Sequence, residues 1–557
     1  MAVLVSFPLV RLHYGKQLVF SRKPGYYDSA FYLTILGGGK NTIHYTLDGS
    51  EPNMDDPVVD RKNPIYIEDA TSRPNVYSLR TDTSTGFLTD LIDQYVPWDP
   101  ASYTVPEYPV DKCTVIRASL FDDNGNCLDS VTGSYFVEFQ EKEEYENIYT
   151  VSLVTSPENL FDHDTGIYVT GNIFEQFLTD SRDKETWAWC TWDANYFRRG
   201  HKWERAAHIT LFDSRHRIVL DQNCGIRAKG AGSSGLLPRS FSCYAREEYN
   251  GSDYFDADIF QTDISSHKIV IFGGGQDNVF KAKDWLIHTL TQKLPFATMD
   301  FIPCALFLDG EYWGMYYISE DYDTEYINAH YQVAKDNIIM AKRGHAADIL
   351  AEGAEEDHQI YDEMFDFLCN NDMKNQSCYR RACELIDMDS YIDYYATEIY
   401  IANTDWPHKN FALWRTREND GSRYGDTKWR WMLFDVNYSM PSGVANNLAY
   451  VLDVDAAFAS LYQNENFRRQ FARRLLTIGK EVFAPEKCNQ LLDQYAQIMK
   501  RPLMASNKRF YMDEKSDEFD QYILDIKTFF EKRYDVVWNY LVQSMGEEWL
   551  SDNGIQK

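Results

Sequence analysis

Apolar and polar positions follow three successive rhythms along the chain. Over the first roughly 140 residues, short β-branched and aromatic runs (FYLTI, TIHYTL, VYSL, TVIRASLFDDNG, SYFVEF) alternate with the turn signals GGGKN, LDGSEPN and DDNGN. That pattern predicts a small antiparallel β sandwich with no long helix. An insertion rich in Asp and Pro, around 88–110, interrupts it. The charge-rich bridge EFQEKEEYEN then places a boundary near 145–148, giving a first domain over 1–147. From Tyr149 to about Leu350 strands and helices mix. YTVSLVT, HITLFD, IVLDQNCGIRAKG, RSFSCYA, KIVIFGG, CALFLDGEYWGMYYISE and NIIMAK read as strands. KAKDWLIHTLTQKL has Trp285, Leu286, Leu290 and Leu294 on or near one face and reads as an amphipathic helix. After about Glu355 helical periods dominate: EEDHQIYDEMFDFLCN, CYRRACELI, MDSYIDYYATEIYIA, then long ones in Ala456–Val482, Glu486–Met499 and Asp513–Met545. The expected architecture is multidomain α+β, with a β-rich lobe over about 148–350 and an α-rich lobe over about 351–557.

Composition narrows the function classes. Lys and Arg total 55 against 85 Asp and Glu, a formal charge of −30. Nucleic acid as main partner is disfavoured, because counterion release needs clustered cations. The same charge suits steering of a basic protein substrate. No stretch of 18 apolar residues exists, so no transmembrane helix is expected. The apolar start MAVLVSFPLV lacks a basic flank and a cleavage site and reads as a strand or trimmed end, not an intact signal peptide. Ten cysteines lie singly without CxxC, and no histidines pair at HxH or HxxxH spacing. This argues against zinc and a dense disulfide framework and leaves free, mostly buried thiols.

Candidate chemistry concentrates in NTDWPHKNFALW and KWRWMLFDVNYS. Asp405 and Asn410 stand five apart in a Pro-containing loop after a predicted helix, and Asp435 follows the apolar run WMLF at a strand end. Phosphoryl transfer from ATP needs one carboxylate at the acceptor hydroxyl and an Asn and an Asp holding Mg²⁺ against the phosphates. The spacing alone is equally compatible with a turn Asp, a capping Asn and a strand-end Asp. Upstream, GIRAKGAGSSGLLPRSFSCYA gives a small-residue turn at Gly230, Gly232, Ser233, Ser234 and Gly235 between two strands, with Arg239 starting the second. Such a turn lets backbone amides approach phosphates, or is simply a flexible hairpin. LFLDGEYWGMYYISEDYD reads as a hairpin turned at Asp309-Gly310 and ending in Glu320, Asp321 and Asp323. His408 reads either as a substrate contact or as a satisfied loop histidine. A glycosidase pair built on Glu320 and Glu398 rests on composition alone.

In this order the segments resemble the CotH (spore coat protein H-like) family of atypical, protein-kinase-like enzymes, colinearly from about Tyr149 to Ser439. The resemblance implies a two-lobed kinase-like fold with a helical C-terminal end. It also implies Mg²⁺ and ATP as cofactors and phosphorylation of protein Ser or Thr at a cell surface, on a spore or outside the cell. Carried over by residue, Asp405 is the catalytic aspartate, and Asn410 and Asp435 are the metal ligands. Gly230, Gly232, Ser233 and Ser234 form the phosphate loop, and Glu320 orients a cation or metal. Many relatives have Lys where this chain has Arg239, so Lys229 or Lys342 is an alternative nucleotide-side cation. The departure keeps two other readings open: an inactive kinase-like scaffold, and transfer of AMP. The N-terminal HYTLDGSEP hairpin, with Asp48-Gly49 at the turn and Tyr45 and Leu47 on one face, resembles a chitobiase/β-hexosaminidase C-terminal-type Ig-like module. That resemblance implies a spacer, or contact with glycan or cell wall.

Overall fold

The computed structural model describes residues 17–88, 103–180, 192–261, 263–344, 347–441 and 446–557. MAVLVSFPLV, most of the Asp- and Pro-rich insertion, and His345 lie outside them. The chain divides into two compact units: 1–259 with 303–316 and 504–514, and 260–302 with 317–503 and 515–557. Nine cysteines among the described residues are free thiols.

The first unit holds a four-stranded sheet in the order Gly25–Tyr27, Cys127–Val137, Thr114–Phe121, Thr42–Thr46. The long hairpin closes over Asp122, whose carboxylate accepts the amides of Asn124 and Asn126 and so satisfies the turn locally. Phe31–Leu33 pairs with Ile65–Ile67. The sandwich core is Leu33, Ile35, Ile67, Ile116, Leu120 and Tyr135. Tyr45 packs against this core, whereas Leu47, one residue past its strand, is exposed. VYSL is a 3₁₀ turn, Tyr77–Leu79, not a strand. A second sheet runs Ser240–Tyr244, Ile218–Lys229, Arg205–Phe212, Tyr149–Val154, all antiparallel, and residues 304–308 join Tyr149–Val154 in parallel.

In the second unit, Lys268–Phe272 pairs with residues 317–319. A four-stranded antiparallel sheet has the order Ala347–Glu352, Ile338–Gly344, Phe411–Thr416, Arg430–Met432. Met388–Ile401 is a helix buried on every side. Asp387 caps its start by accepting the Ser390 amide. At its end, Arg533, itself buried, donates to the carbonyls of Ile399 and Tyr400, among the last carbonyls, which have no regular intrahelical partner. Two helix expectations change. Ala456–Val482 is split into Ala456–Leu461 and Glu465–Glu481, because the Asn464 side chain accepts two amides and starts the second helix. Pro485–Tyr511 is continuous through Pro502, where a stop near Met499 was expected. Buried Leu492, Tyr495, Met499 and Leu503 line its path and offset the one backbone hydrogen bond that a proline removes.

Candidate active site

The 388–401 helix ends at Ala402 in a left-handed turn, and the loop 403–410 is held from that end. Asn403 donates to Glu398 Oε2 at 3.0 Å and accepts the Asp405 amide at 3.1 Å. Trp406 is buried against Tyr394 and Tyr395. The loop folds back so that Asn410 Nδ2 donates to Asp405 Oδ2 at 2.8 Å, and Lys409 Nζ lies 2.6 Å from Asp405 Oδ1. Asn410 itself adopts a positive φ, which an Asn tolerates better than most residues.

Asp435 follows Arg430–Met432 by three residues, also at positive φ. Its Oδ1 accepts from Asn437 Nδ2, which also donates to Gln276 Oε1 at 3.1 Å. Behind it, Asp284, in the first turn of the helix Ala282–Thr291, accepts the Val436 amide at 3.0 Å. Burial pushes the carboxyls of Asp284, Asp435 and Glu398 above their ordinary range, Glu398 up to about 8. Mutual repulsion adds to this: Asp435 acts on Asp284, Asp405 on Asp435, and both Asp435 and Asp284 on Glu398. Lys409 opposes the shift at Asp435. The structure therefore brings Asp405, Asn410 and Asp435 into one electrostatically coupled group.

Asp284, Glu398, Asn403, Lys409 and Asn437 belong to that group too, and sequence spacing does not single them out. Asp284 and Glu398 sit on helices whose apolar periodicity reads as core. The available signal is a carboxylate on an otherwise apolar stripe.

The donor set fits a hard cation. Asn437 Oδ1 is buried without a hydrogen-bond partner among the described residues, Glu398 has the Tyr394 hydroxyl beside it, and surplus buried negative charge is relieved by a divalent ion. Asp284, Asp405 and Asp435 do not form a trio with all ligand atoms within 4.8 Å of one another. His201, Glu204 and Glu248 do form such a trio, but Arg246 already occupies both oxygens of Glu204.

The remaining candidates stand as follows. Lys342 donates to the Tyr322 carbonyl at 2.6 Å, and its ammonium lies 5.7 Å from the ring centre of Phe434, the residue before Asp435. Glu320 accepts the Asp300 amide and pairs with His330 at 2.7 Å. Among the described residues, its side chain makes no hydrogen bond or ion pair with the 403–410 loop. In the first unit, Gly232–Gly235 is a 3₁₀ turn folded on itself, with Ser234 Oγ donating to Gly230 O at 2.9 Å. Arg239 is fully buried. Its guanidinium donates to the carbonyls of Ser234, Tyr168 and Thr83 and stacks on Tyr168 and Tyr196. Arg239 thus fixes the turn from inside, a packing role instead of the expected phosphate contact. Beside the 403–410 loop a cavity of about 140 Å³ opens, lined by Tyr395, Pro407, His408, Phe411, Trp431 and Asp455.

Comparison with known proteins gives two matches. The family described as CotH kinase protein matches residues 226–537, and the family described as Fn3 associated matches residues 33–135. A search of curated proteins finds no match.

Proposed function

Because this chain belongs to the CotH kinase family, we propose that it is an atypical protein kinase, transferring the γ-phosphate of ATP to Ser or Thr of a protein. One observation carries the reading: the hydrogen bond between Asn410 and Asp405, with Asp435 close enough for its carboxyl to feel the charge of Asp405. Asp405 orients the acceptor hydroxyl and takes its proton. Asn410 and Asp435 hold Mg²⁺, with Asp284 and Glu398 setting the charge behind them. Bound Mg²⁺ would neutralise charge developing on the phosphates. Lys342, 5.7 Å from the ring centre of Phe434 beside Asp435, would meet a phosphate oxygen, and the cavity at His408 gives room for a side chain flanking the acceptor.

The N-terminal module would anchor the enzyme at a cell or spore surface through glycan. Tyr32 and Tyr66 support this reading. They face each other across two strands, stand 5.1 Å apart and are exposed by 64% and 48%, as a platform for stacking on sugar rings would be. Among the described residues no helix is long and apolar enough to cross a membrane. The test is a thermal melt with Mg²⁺ and ATP, followed by mass spectrometry of a Ser-containing protein substrate. A stabilised enzyme and a phosphoryl adduct support the kinase. An AMP adduct assigns the same residues to nucleotidyl transfer, and no shift with any nucleotide leaves a binding scaffold.

A further inference from the structure

The segment Gly273–Gly274–Gly275–Gln276 follows the strand Lys268–Phe272 and lies in the same unit as Asp405, Asn410 and Asp435. Gly274 and Gly275 both take positive φ, +102° and +58°, conformations that glycine adopts at little cost and that suit close approach of backbone to a ligand. Among the described residues, the amides of Gly274, Gly275 and Gln276 have no hydrogen-bond acceptor, although Gly274 is buried.

The loop is rigidly held. The Lys281 ammonium, buried, donates to the carbonyls of Gly273 and Asn278. Asp277 accepts the Lys283 amide and the Tyr522 hydroxyl. The loop also abuts the carboxylate group. A Cβ on Gly275 would lie 3.0 Å from Asn437 Nδ2, and that nitrogen is the one shared by Gln276 Oε1 and Asp435 Oδ1. Asn437, 6% exposed, keeps a buried Oδ1 with no partner at this same place. Unpaired donors on the loop and an unpaired acceptor beside Asp435 are what a metal-bound polyphosphate satisfies on its two sides.

We propose that Gly273–Gln276 is the phosphate cradle of this enzyme, in place of the Gly230–Gly235 turn, binding the polyphosphate of a nucleotide through the amides of Gly274, Gly275 and Gln276. The proposal rests on the kinase reading for the identity of the nucleotide, and on the loop itself for the polyphosphate. A side chain at 275 would crowd Asn437 beside Asp435, and the positive φ there strains any residue but glycine. Gln276 matters as a neutral residue, since a carboxylate there would face the phosphates.

Isothermal titration separates the two layers. Wild type, Gln276→Glu and Gly275→Ala are titrated with inorganic tripolyphosphate plus Mg²⁺, with Mg·ATP and with adenosine, and melts confirm folding. Gln276→Glu preserves shape and can still accept from Asn437, and Gly275→Ala carries the comparison if that variant does not fold. Each variant is expected to weaken tripolyphosphate and ATP by about tenfold or more, the scale of losing charge-assisted hydrogen bonds, and to leave adenosine unchanged. Unchanged affinity for both polyphosphates in the two variants overturns the cradle and leaves the kinase intact. Tripolyphosphate binding that is sensitive to Gln276→Glu, without ATP binding, upholds the cradle and overturns the kinase. Wild type that binds neither overturns both.

Discussion

Glu398 and Asp435 show at the residue scale why the site is costly without a cation. Glu398 is buried and Asp435 half-buried; both carry raised carboxyl pKa values, and each is raised further by a neighbouring acid. A raised folded pKa means that stability is present at low pH and is lost as pH rises to the folded value. In EDTA, the melting temperature is therefore expected to fall from about pH 5, above the ordinary carboxylate range, through about pH 8, where Glu398 is half-titrated. Saturating Mg²⁺ should flatten that slope. Asp435→Asn removes one of the repelling charges. In EDTA at pH 8 it should raise unfolding free energy by about 1 kcal/mol while abolishing the Mg²⁺ shift. A melt series over pH with and without Mg²⁺ checks both. Asp405→Asn keeps the hydrogen-bonding shape and removes the base. Its turnover should drop by roughly 10²–10⁴ with nucleotide affinity unchanged, as stopped-flow and equilibrium binding would show.

The helix Met388–Ile401 is the element that delivers the site. Its far end is fixed by Arg533 on two carbonyls, so the position of Asn403, Asp405 and Asn410 depends on a residue some 130 positions later in sequence. Arg533→Met should destabilise the fold by about 3 kcal/mol and lower turnover with it, measured by denaturant titration alongside an activity assay. Arg239→Lys makes the contrasting case. Lysine cannot reproduce a fork on three carbonyls or stack between two tyrosines. The expected result is a loss of about 2 kcal/mol in stability with nucleotide affinity unchanged. Element identity was largely legible: alternation marks the β-rich segments, and the Asp309-Gly310 turn sits where the DG pair puts it, both residues at positive φ. Element ends were less so. Asn464 ends one helix by capping the next, and Pro502 ends nothing. The first effect depends on a side-chain rotamer and the second on tertiary packing, and neither is written in local periodicity.

For the whole molecule, the order of motifs carried more information than any one motif. Asp405, Asn410 and Asp435 could be picked out because their spacing follows backbone events that leave marks in sequence: a helix end, a proline loop and a strand end. Asp284 and Glu398 could not, since a buried acid looks like any other acid until the helix around it is packed. The burial of Arg239 was likewise invisible, because burial cannot be counted from residue type. The net charge of −30 acts at this scale through long-range steering. KM for a basic Ser-containing peptide should rise as salt goes from about 0.05 to 0.5 M, as screening shortens the field, and kcat should stay constant.

Phosphoryl transfer by this protein would turn on Asp405, Asn410 and Asp435 working together on Mg²⁺-bound ATP. The direct measurement is transfer of labelled γ-phosphate to a Ser-containing protein substrate by wild type, Asp405→Asn and Asp435→Asn, each with Mg²⁺ and with EDTA. Labelled phosphoserine from wild type with Mg²⁺ alone, and near-background signal in both variants, is the predicted result. Equal labelling by wild type and the two variants, or labelling that persists in EDTA, would contradict it.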